Sequence, residues 1–465
     1  MTPWLVEAAR RWPDAPALLH PRAQLSYRAL AERVAAIAGA LARGGIEPGQ
    51  RIGLRLGDDA LDNALLLHAL WWRGTTIAPQ DGASHAPLDG ASHAPVIDNL
   101  ALDHMIAIDP TPGPAIEPVA HHPNWPLTLM QTSGSSGKPR AIAHRPDQHG
   151  ASIEAVGHRL GLEPGQRWLC CLKFHHIGGL AILLRAVVLG GSVRLLDRFD
   201  AKEVAAWLEH SSRAEAIAWI SLVPTQLNDL LNAHPERFST ALKGVLVGGA
   251  ASTPELLDRA RARGLPVLPT WGMTEAASQL ATPSPEQARS VDFHARPGWA
   301  GPPLPGVQVR TDERGRLHVR GPMLSSAPAT DPQPDSPWFA TGDRGRIDAD
   351  GDVIVLGRID RTLISGGINV DLDALERRLR AGDRFEDIAL VALPDPRWGE
   401  RIGAVVVARP DDNSARLEAW ARQHLDPPER PARWCLVNEI PRGAAGKPAA
   451  ETLREMLEDT AGPSR

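Results

Sequence analysis

Three cysteines, five lysines, a formal charge of only −5 and no long apolar run among 465 residues exclude a good deal. Cys170, Cys171 and Cys435 are too few and too badly spaced for a disulfide framework or a zinc site, and they fit a reducing cytoplasm. So small a net charge gives no electrostatic reason to expect nucleic acid or an anionic membrane as partner. The most apolar stretch, Ile177 to Gly191, is interrupted by Arg185 and is short for a membrane span. The first residues, Met1 to Trp12, carry charge too early and too often for a secretory signal. The expectation is a soluble, cytoplasmic protein. What is present agrees: 43% hydrophobic and 23% charged residues are the proportions of a globular chain, long enough for two or three domains.

The scarcity of lysine points to one stretch. Lys138, Lys173, Lys202, Lys243 and Lys447 are all there are, so 50 − 5 = 45 of the basic residues are arginine. Lys138 lies in Thr132-Ser133-Gly134-Ser135-Ser136-Gly137-Lys138-Pro139-Arg140, directly after the strand-like run Leu127 to Met130. Two glycines remove Cβ atoms that would hold a ligand off the backbone, four hydroxyls and an ammonium add donors, and successive N–H groups in such a turn cradle anions. A compact ammonium retained in an arginine-rich chain favours a phosphate cradle over an exposed Ser/Gly loop. It is not an ordinary P-loop, because Thr132 stands where glycine should and Pro139 where a Mg2+-binding hydroxyl should follow the lysine.

Along the rest of the chain, residues 26–46 show helical periodicity between a capping Ser26 and the Gly44-Gly45 stop. Residues 51–56 alternate like a strand, and Leu61 to Trp72 forms an apolar helix. The tandem octads beginning at Asp81 and Asp89 are too few for a solenoid and read as a duplicated surface loop, with His85 and His93 as metal ligands the lesser alternative. A proline-rich segment, Pro110 to Pro126, leads to the phosphate loop. Beyond it, Gln148 to Leu160 reads as a helix, and the runs near 168, 216, 244 and 266 each read as a strand ending in a small or polar turn. Repeated strand, turn and helix predict an α/β layer architecture with several polar loops at one crevice. Arg185, inside an apolar helix, either lies at an edge or has an anionic partner. From Gly306 the texture changes to short strands, including a hairpin around Asp348 to Asp352 whose spacing rejects an EF-hand. About a hundred residues beyond Asp360 return to α+β and suffice for a small separate domain.

Six motifs now stand in one order: the loop at Thr132 to Arg140, Trp271-Gly272-Met273-Thr274-Glu275, Thr341-Gly342-Asp343, Gly357-Arg358-Ile359-Asp360, Ile364-Ser365-Gly366-Gly367-Ile368-Asn369-Val370 and Pro441-Arg442-Gly443-Ala444-Ala445-Gly446-Lys447. Together they resemble the adenylate-forming superfamily of acyl-CoA synthetases, luciferases and adenylation domains, over essentially the whole chain. Within it, Ser221 to Leu227, Gly248 to Ala251 and Trp271 to Gln279 look most like the o-succinylbenzoate–CoA ligases of menaquinone biosynthesis.

The resemblance implies a large N-terminal AMP-binding domain over 1–358, built of α/β layers with a β-rich subdomain at about 306–358, and a small mobile α+β domain over 359–465. It implies ATP, Mg2+ and coenzyme A as ligands, a carboxylic acid as substrate, no nucleic acid and no membrane, and a homodimer as an option. Thr132, Ser133, Gly134, Ser135, Ser136, Gly137 and Lys138 would hold the β- and γ-phosphates. Gly248, Gly249 and Ala250 would border the adenine, with Trp271 against it and Gly272 and Met273 beside it. Thr274 would bond the α-phosphate, Glu275 would bind Mg2+, Asp343 would accept the ribose hydroxyls, and Arg358 would contact ribose or phosphate. His176 would flank the acyl group, Gly366 and Gly367 the coenzyme A channel, and Lys447 would be the catalytic cation for adenylation. Lys173, Arg185 and Arg296 are candidate partners for a second substrate carboxylate, or members of structural ion pairs. The chain departs from the pattern at Ala449 and Ala450, where relatives often carry arginine, and at Lys173, which replaces a proline. A carrier-protein-loading adenylation enzyme, another aryl- or acyl-CoA ligase, and a catalytically silent nucleotide binder are the alternatives.

Overall fold

A serine at position 26 opens the first long helix as its sequence predicts: the Ser26 hydroxyl accepts the Ala29 N–H at 3.2 Å, and Tyr27–Arg43 ends at Gly44. The structure, a computed structural model, describes residues 1–81, 102–106, 112–132, 140–209, 216–290, 296–325, 337–365, 368–381, 384–395, 398–409, 412–442 and 450–459. The duplicated octads, with His85 and His93, lie outside the described residues.

The chain divides into two compact units. The first comprises Met1–Val309, Val319–Phe339 and Ala349–Val353. Its larger sheet has seven strands in the order Val267–Pro269, Gly244–Val247, Trp219–Leu222, Arg167–Cys170, Ser192–Leu195, Pro16–His20 and Ala23–Ser26. All but the last pair are parallel. The central strands are buried along their length, and Gly244-Val245-Leu246-Val247 is an uninterrupted apolar run, as expected of a parallel sheet covered on both faces. Leu227, Leu230, Leu257 and Ala260 from the following helices complete one core with Leu169, Ile220, Val245 and Val267.

A second sheet in this unit has the order His104–Ile106, Arg51–Arg55, Thr76–Gln80, Thr128–Thr132 and Arg140–His144. Only its last pair is antiparallel, with Thr132 opposite Arg140 and Thr128 opposite His144. The expected strand before the phosphate loop is therefore one arm of a hairpin. The helix Ala60–Trp72 has every residue but Asp62 buried, which explains why it is apolar nearly all round. Across it runs the proline-rich segment, held by the Trp72 indole N–H donating to the Ile116 carbonyl at 2.9 Å.

His68 sits in that buried helix with its ring edge-on to Trp71, and burial pushes its imidazole down to about 4. The unfolded chain, titrating near 6.5, takes up this proton first as the pH falls. The stabilisation is therefore complete above about pH 6.5 and is lost as the pH drops toward 4, amounting to roughly 3 kcal/mol. Urea midpoints measured across that window are expected to fall for the natural chain and to fall less steeply for His68→Gln, the remainder coming from other buried histidines such as His144 and His149.

The second unit comprises Arg310–His318, Ala340–Asp348 and Ile354–Arg465. Most residues of a four-stranded sheet, Gln308–Thr311, Arg316–Arg320, Phe339–Ile347 and Val353–Arg358 in that order, belong to it. A five-stranded sheet runs Ile368–Asp371, Thr362–Ser365, Gly399–Val407, Asp387–Asp395, with Arg433–Leu436 parallel to Gly399–Val407. The helices Leu372–Ala381 and Ser414–His424 close a core of Leu363, Leu375, Ile388, Ile402, Leu417 and Trp434. A large mixed α/β part and a smaller α+β part are thus both present, as the sequence predicts.

Candidate active site

Four neighbouring parallel strands end on one edge of the seven-stranded sheet, which is where open α/β sheets bind ligands. The segments leaving them are Cys171 to His176, Val223 and its helix, Gly248 to Ala250, and Thr270 to Glu275. His176, half-buried, is the N-cap of the helix Ile177–Leu189, and its ring lies 4.2 Å from that of His175. Burial lowers the His175 imidazole, and its Nε2 has no hydrogen-bond partner. Gly248 lies against the next strand end, where a Cβ would come within 2.2 Å of Thr270 Oγ1. Gly249 has φ +78, and both it and Ala250 are exposed. The backbone is open to a flat ligand there.

The motif from Trp271 onward folds as a small hairpin, Trp271–Met273 against Ser278–Ala281. Trp271 is buried, opposite Ala281. Gly272 is exposed and a Cβ on it would meet Ser278 O at 2.0 Å, so no other residue fits. Thr274–Ala276 form a single 3-10 turn, followed by two non-glycine residues with positive φ, Ala277 at 52 and Ser278 at 144. The half-buried Glu275 carboxylate makes no hydrogen bond or ion pair with any described residue. An unengaged carboxylate in a turn is a fitting ligand for a hard divalent cation. The turn is tied from behind by the Ser325 N–H donating to the Glu275 carbonyl at 2.7 Å and the Ser152 hydroxyl to the Ala277 carbonyl at 3.3 Å.

Thr132 is half-buried at the tip of its strand. Ser133, Gly134, Ser135, Ser136, Gly137 and Lys138 lie outside the described residues, as do Gly366, Gly367 and Lys447. In the second unit, Asp343 and Arg358 face each other, guanidinium to carboxylate, at 3.5 Å. The Asp343 N–H donates to the Thr341 hydroxyl at 3.1 Å, which fixes the stretch of strand that presents this carboxylate.

The three cations proposed for a second substrate carboxylate separate clearly. Lys173 is exposed and donates to the Asp197 carbonyl at 3.0 Å. Arg296 pairs with Asp352 at 3.4 Å and lies over Trp299, an ordinary ion pair. Arg185 is neither at an edge nor paired with an anion among the described residues. It is 2% exposed, lies 6.0 Å from the centre of the Trp168 ring, and donates to Ser278 Oγ at 2.9 Å, leaving Nε unbonded. Burial lowers its guanidinium to about 10. Next to Ser278, the buried Gln279 has neither its amide nitrogen nor its oxygen bonded. A buried cation and an orphaned amide are costly unless an anion completes them.

Sequence reasoning passed over Gln279, Ser152, Ser325 and His144. His144 had a signal: in Arg140-Ala141-Ile142-Ala143-His144 the strand period of two puts it on the buried face with Ile142. Ser152 and Ser325 had none, because their roles depend on contacts 125 and more residues away in the chain.

The family model for AMP-binding enzymes matches residues 5–87 and 60–327, and that for the AMP-binding enzyme C-terminal domain matches residues 375–447. The chain is 32% identical over 335 residues to the 2-succinylbenzoate–CoA ligase of Enterococcus faecalis, covering 69% of this chain and 67% of the relative. It is 28% identical to that of Listeria monocytogenes, over 98% of this chain and 99% of the relative. Among solved structures, o-succinylbenzoate coenzyme A synthetase from Bacillus subtilis, in complex with ATP and magnesium ion, superposes with a TM-score of 0.83 at 24% identity, covering 98% of this chain and 99% of that one.

Proposed function

The chain belongs to the AMP-binding enzyme family, and from that premise we propose that it is an o-succinylbenzoate–CoA ligase of menaquinone biosynthesis. As an ATP-dependent acid–CoA ligase it forms an acyl-adenylate and then a CoA thioester. Identity of 32% to a curated 2-succinylbenzoate–CoA ligase supports this specificity. The observation that carries it is Arg185: a buried guanidinium with no anionic partner among the described residues, beside Ser278 and the unbonded Gln279, suits an acid that brings a second carboxylate besides the one activated.

The roles proposed for this chain's residues follow. Thr132 and the loop from Ser133 to Lys138 bind the β- and γ-phosphates. Gly248, Gly249, Ala250, Trp271, Gly272 and Met273 surround the adenine, Thr274 donates to the α-phosphate, and Asp343 takes the ribose hydroxyls with Arg358 adjacent. Glu275 holds Mg2+, which when bound would neutralise phosphate charge and polarise the reacting phosphoryl group. His176 orients the acyl carboxylate, whose oxygen attacks the α-phosphorus as pyrophosphate departs. Lys447 stabilises the negative charge that grows there. The thiol of coenzyme A, entering along Gly366 and Gly367, then attacks the acyl carbon and AMP leaves. Two reactions at one centre need two arrangements, which residues 359–465 would supply by pivoting near Asp360.

Among the described residues no helix is long and apolar enough to cross a membrane. A cytoplasmic site of action belongs to the proposal and is supported by three free, buried cysteines. A homodimer is its assembly option, to be settled by light scattering.

Pyrophosphate exchange over a panel of acids, with and without coenzyme A, tests the reading. o-Succinylbenzoate is expected to give the highest kcat/KM and a CoA thioester in stoichiometry with AMP. A different acid preferred by tenfold, a carrier protein needed in place of coenzyme A, or no AMP with any acid would each overturn it.

A further inference from the structure

Behind the turn that carries Thr274 and Glu275 lies a polar group with no evident task. His144 is the last residue of the strand returning from the phosphate hairpin, and it is fully buried. Neither ring nitrogen makes a hydrogen bond, although the backbone carbonyls of Glu275 and Thr274 lie beside the ring. Its ring packs at 5.1 Å against His149, whose Nε2 shares a 2.8 Å hydrogen bond with Thr128 Oγ1. Thr128 is the residue opposite His144 in the hairpin. Two buried imidazoles thus fill the space between the strand leading to Thr132 and the turn bearing Glu275.

An unsatisfied buried imidazole is costly relative to a well-packed apolar side chain. The turn in front of it, meanwhile, holds Ala277 and Ser278 in backbone conformations that disfavour side chains, so it needs outside support to keep one shape. Ser152, Ser325 and Arg185 each hold it by one hydrogen bond. None of these reaches the Thr274 carbonyl, which accepts the Ala277 N–H at 3.0 Å from within the turn itself, and His144 packs beside it from the neighbouring strand.

We infer that His144 is a positioning residue for nucleotide binding: its ring N–H takes up the Thr274 and Glu275 carbonyls as the turn tightens on Mg2+·ATP, fixing both side chains relative to the phosphate hairpin. This rests on the assignment of Thr274 and Glu275 to the α-phosphate and the metal. The imidazole is suited to the task because it is rigid, fills the volume and offers one donor to two adjacent acceptors.

Three variants of the full chain test it. His144→Phe keeps the bulk and removes the donor, His144→Gln restores a donor, and Glu275→Gln probes the turn itself. The readouts are calorimetric binding of α,β-methylene-ATP with Mg2+, the melting temperature without ligand, and thioesterification of pre-formed acyl-adenylate. His144→Phe is expected to weaken Mg2+·analogue binding about tenfold and to raise the KM for ATP more than it lowers kcat. Its melting temperature and its thioesterification should stay within twofold or a few degrees of the parent, and His144→Gln should recover most of the binding. Unchanged binding in His144→Phe, or equal impairment of both variants with a lowered melting temperature, overturns the inference. A Glu275→Gln variant that leaves the Mg2+ dependence of binding unchanged removes the underlying assignment instead, whatever the His144 variants do.

Discussion

Lys447→Ala is expected to slow adenylation by about 10²–10³-fold, the loss typical of removing one preorganised donor from a developing negative charge. Thioesterification of supplied acyl-adenylate should change only a few-fold, because the second half-reaction needs that ammonium elsewhere or not at all. The contrast between half-reactions is the diagnostic. Pyrophosphate exchange reads the first and AMP release from pre-formed adenylate reads the second. Equal loss in both would show that the substitution damages the fold or a shared binding site, and Lys447 would lose its role. An arginine at this position is also expected to fail, since a planar fork on a longer stem does not replace a compact ammonium.

The second large effect concerns Arg185. Arg185→Met should lower kcat/KM for o-succinylbenzoate about 10²-fold or more, because the ring carboxylate would be left without its buried partner. With 4-oxo-4-phenylbutanoate, which lacks that carboxylate, the variant should equal or exceed the parent. The melting temperature should hold or rise, because the substitution deletes a buried charge that has no anionic partner among the described residues. Loss of stability together with uniform loss on both acids would make Arg185 a structural group and remove the main support for a diacid substrate.

Most of the fold was legible because its elements carry local signals. Ser26, the Gly44-Gly45 stop and a 3.6-residue period mark Tyr27–Arg43, and the apolar run Leu61 to Trp72 lies within the helix Ala60–Trp72. The short opening strands Pro16–His20 and Ala23–Ser26 gave no comparable signal. The first is a buried neighbour of Ser192–Leu195, and only tertiary pairing makes it a strand. In the site, glycine-rich turns and motif spacing identify the loops. What they cannot give is the state of Arg185: the same residue in an apolar helix could pair with an acid from a distant strand, as Arg296 does with Asp352. Likewise Asp343 and Arg358, read separately for the ribose, form a pair with each other, a relation that depends on two strands lying side by side.

The position of that opening strand also governs how the protein is made. Leu18 pairs with Val193, so the hairpin Pro16–Ser26 leaves the ribosome long before its neighbour exists. Until some 175 further residues are synthesised, one apolar strand edge stays bare, and parallel pairing across such a distance is slow to form. A nascent chain in this condition invites chaperone capture, and slower translation or lower growth temperature should raise the soluble yield.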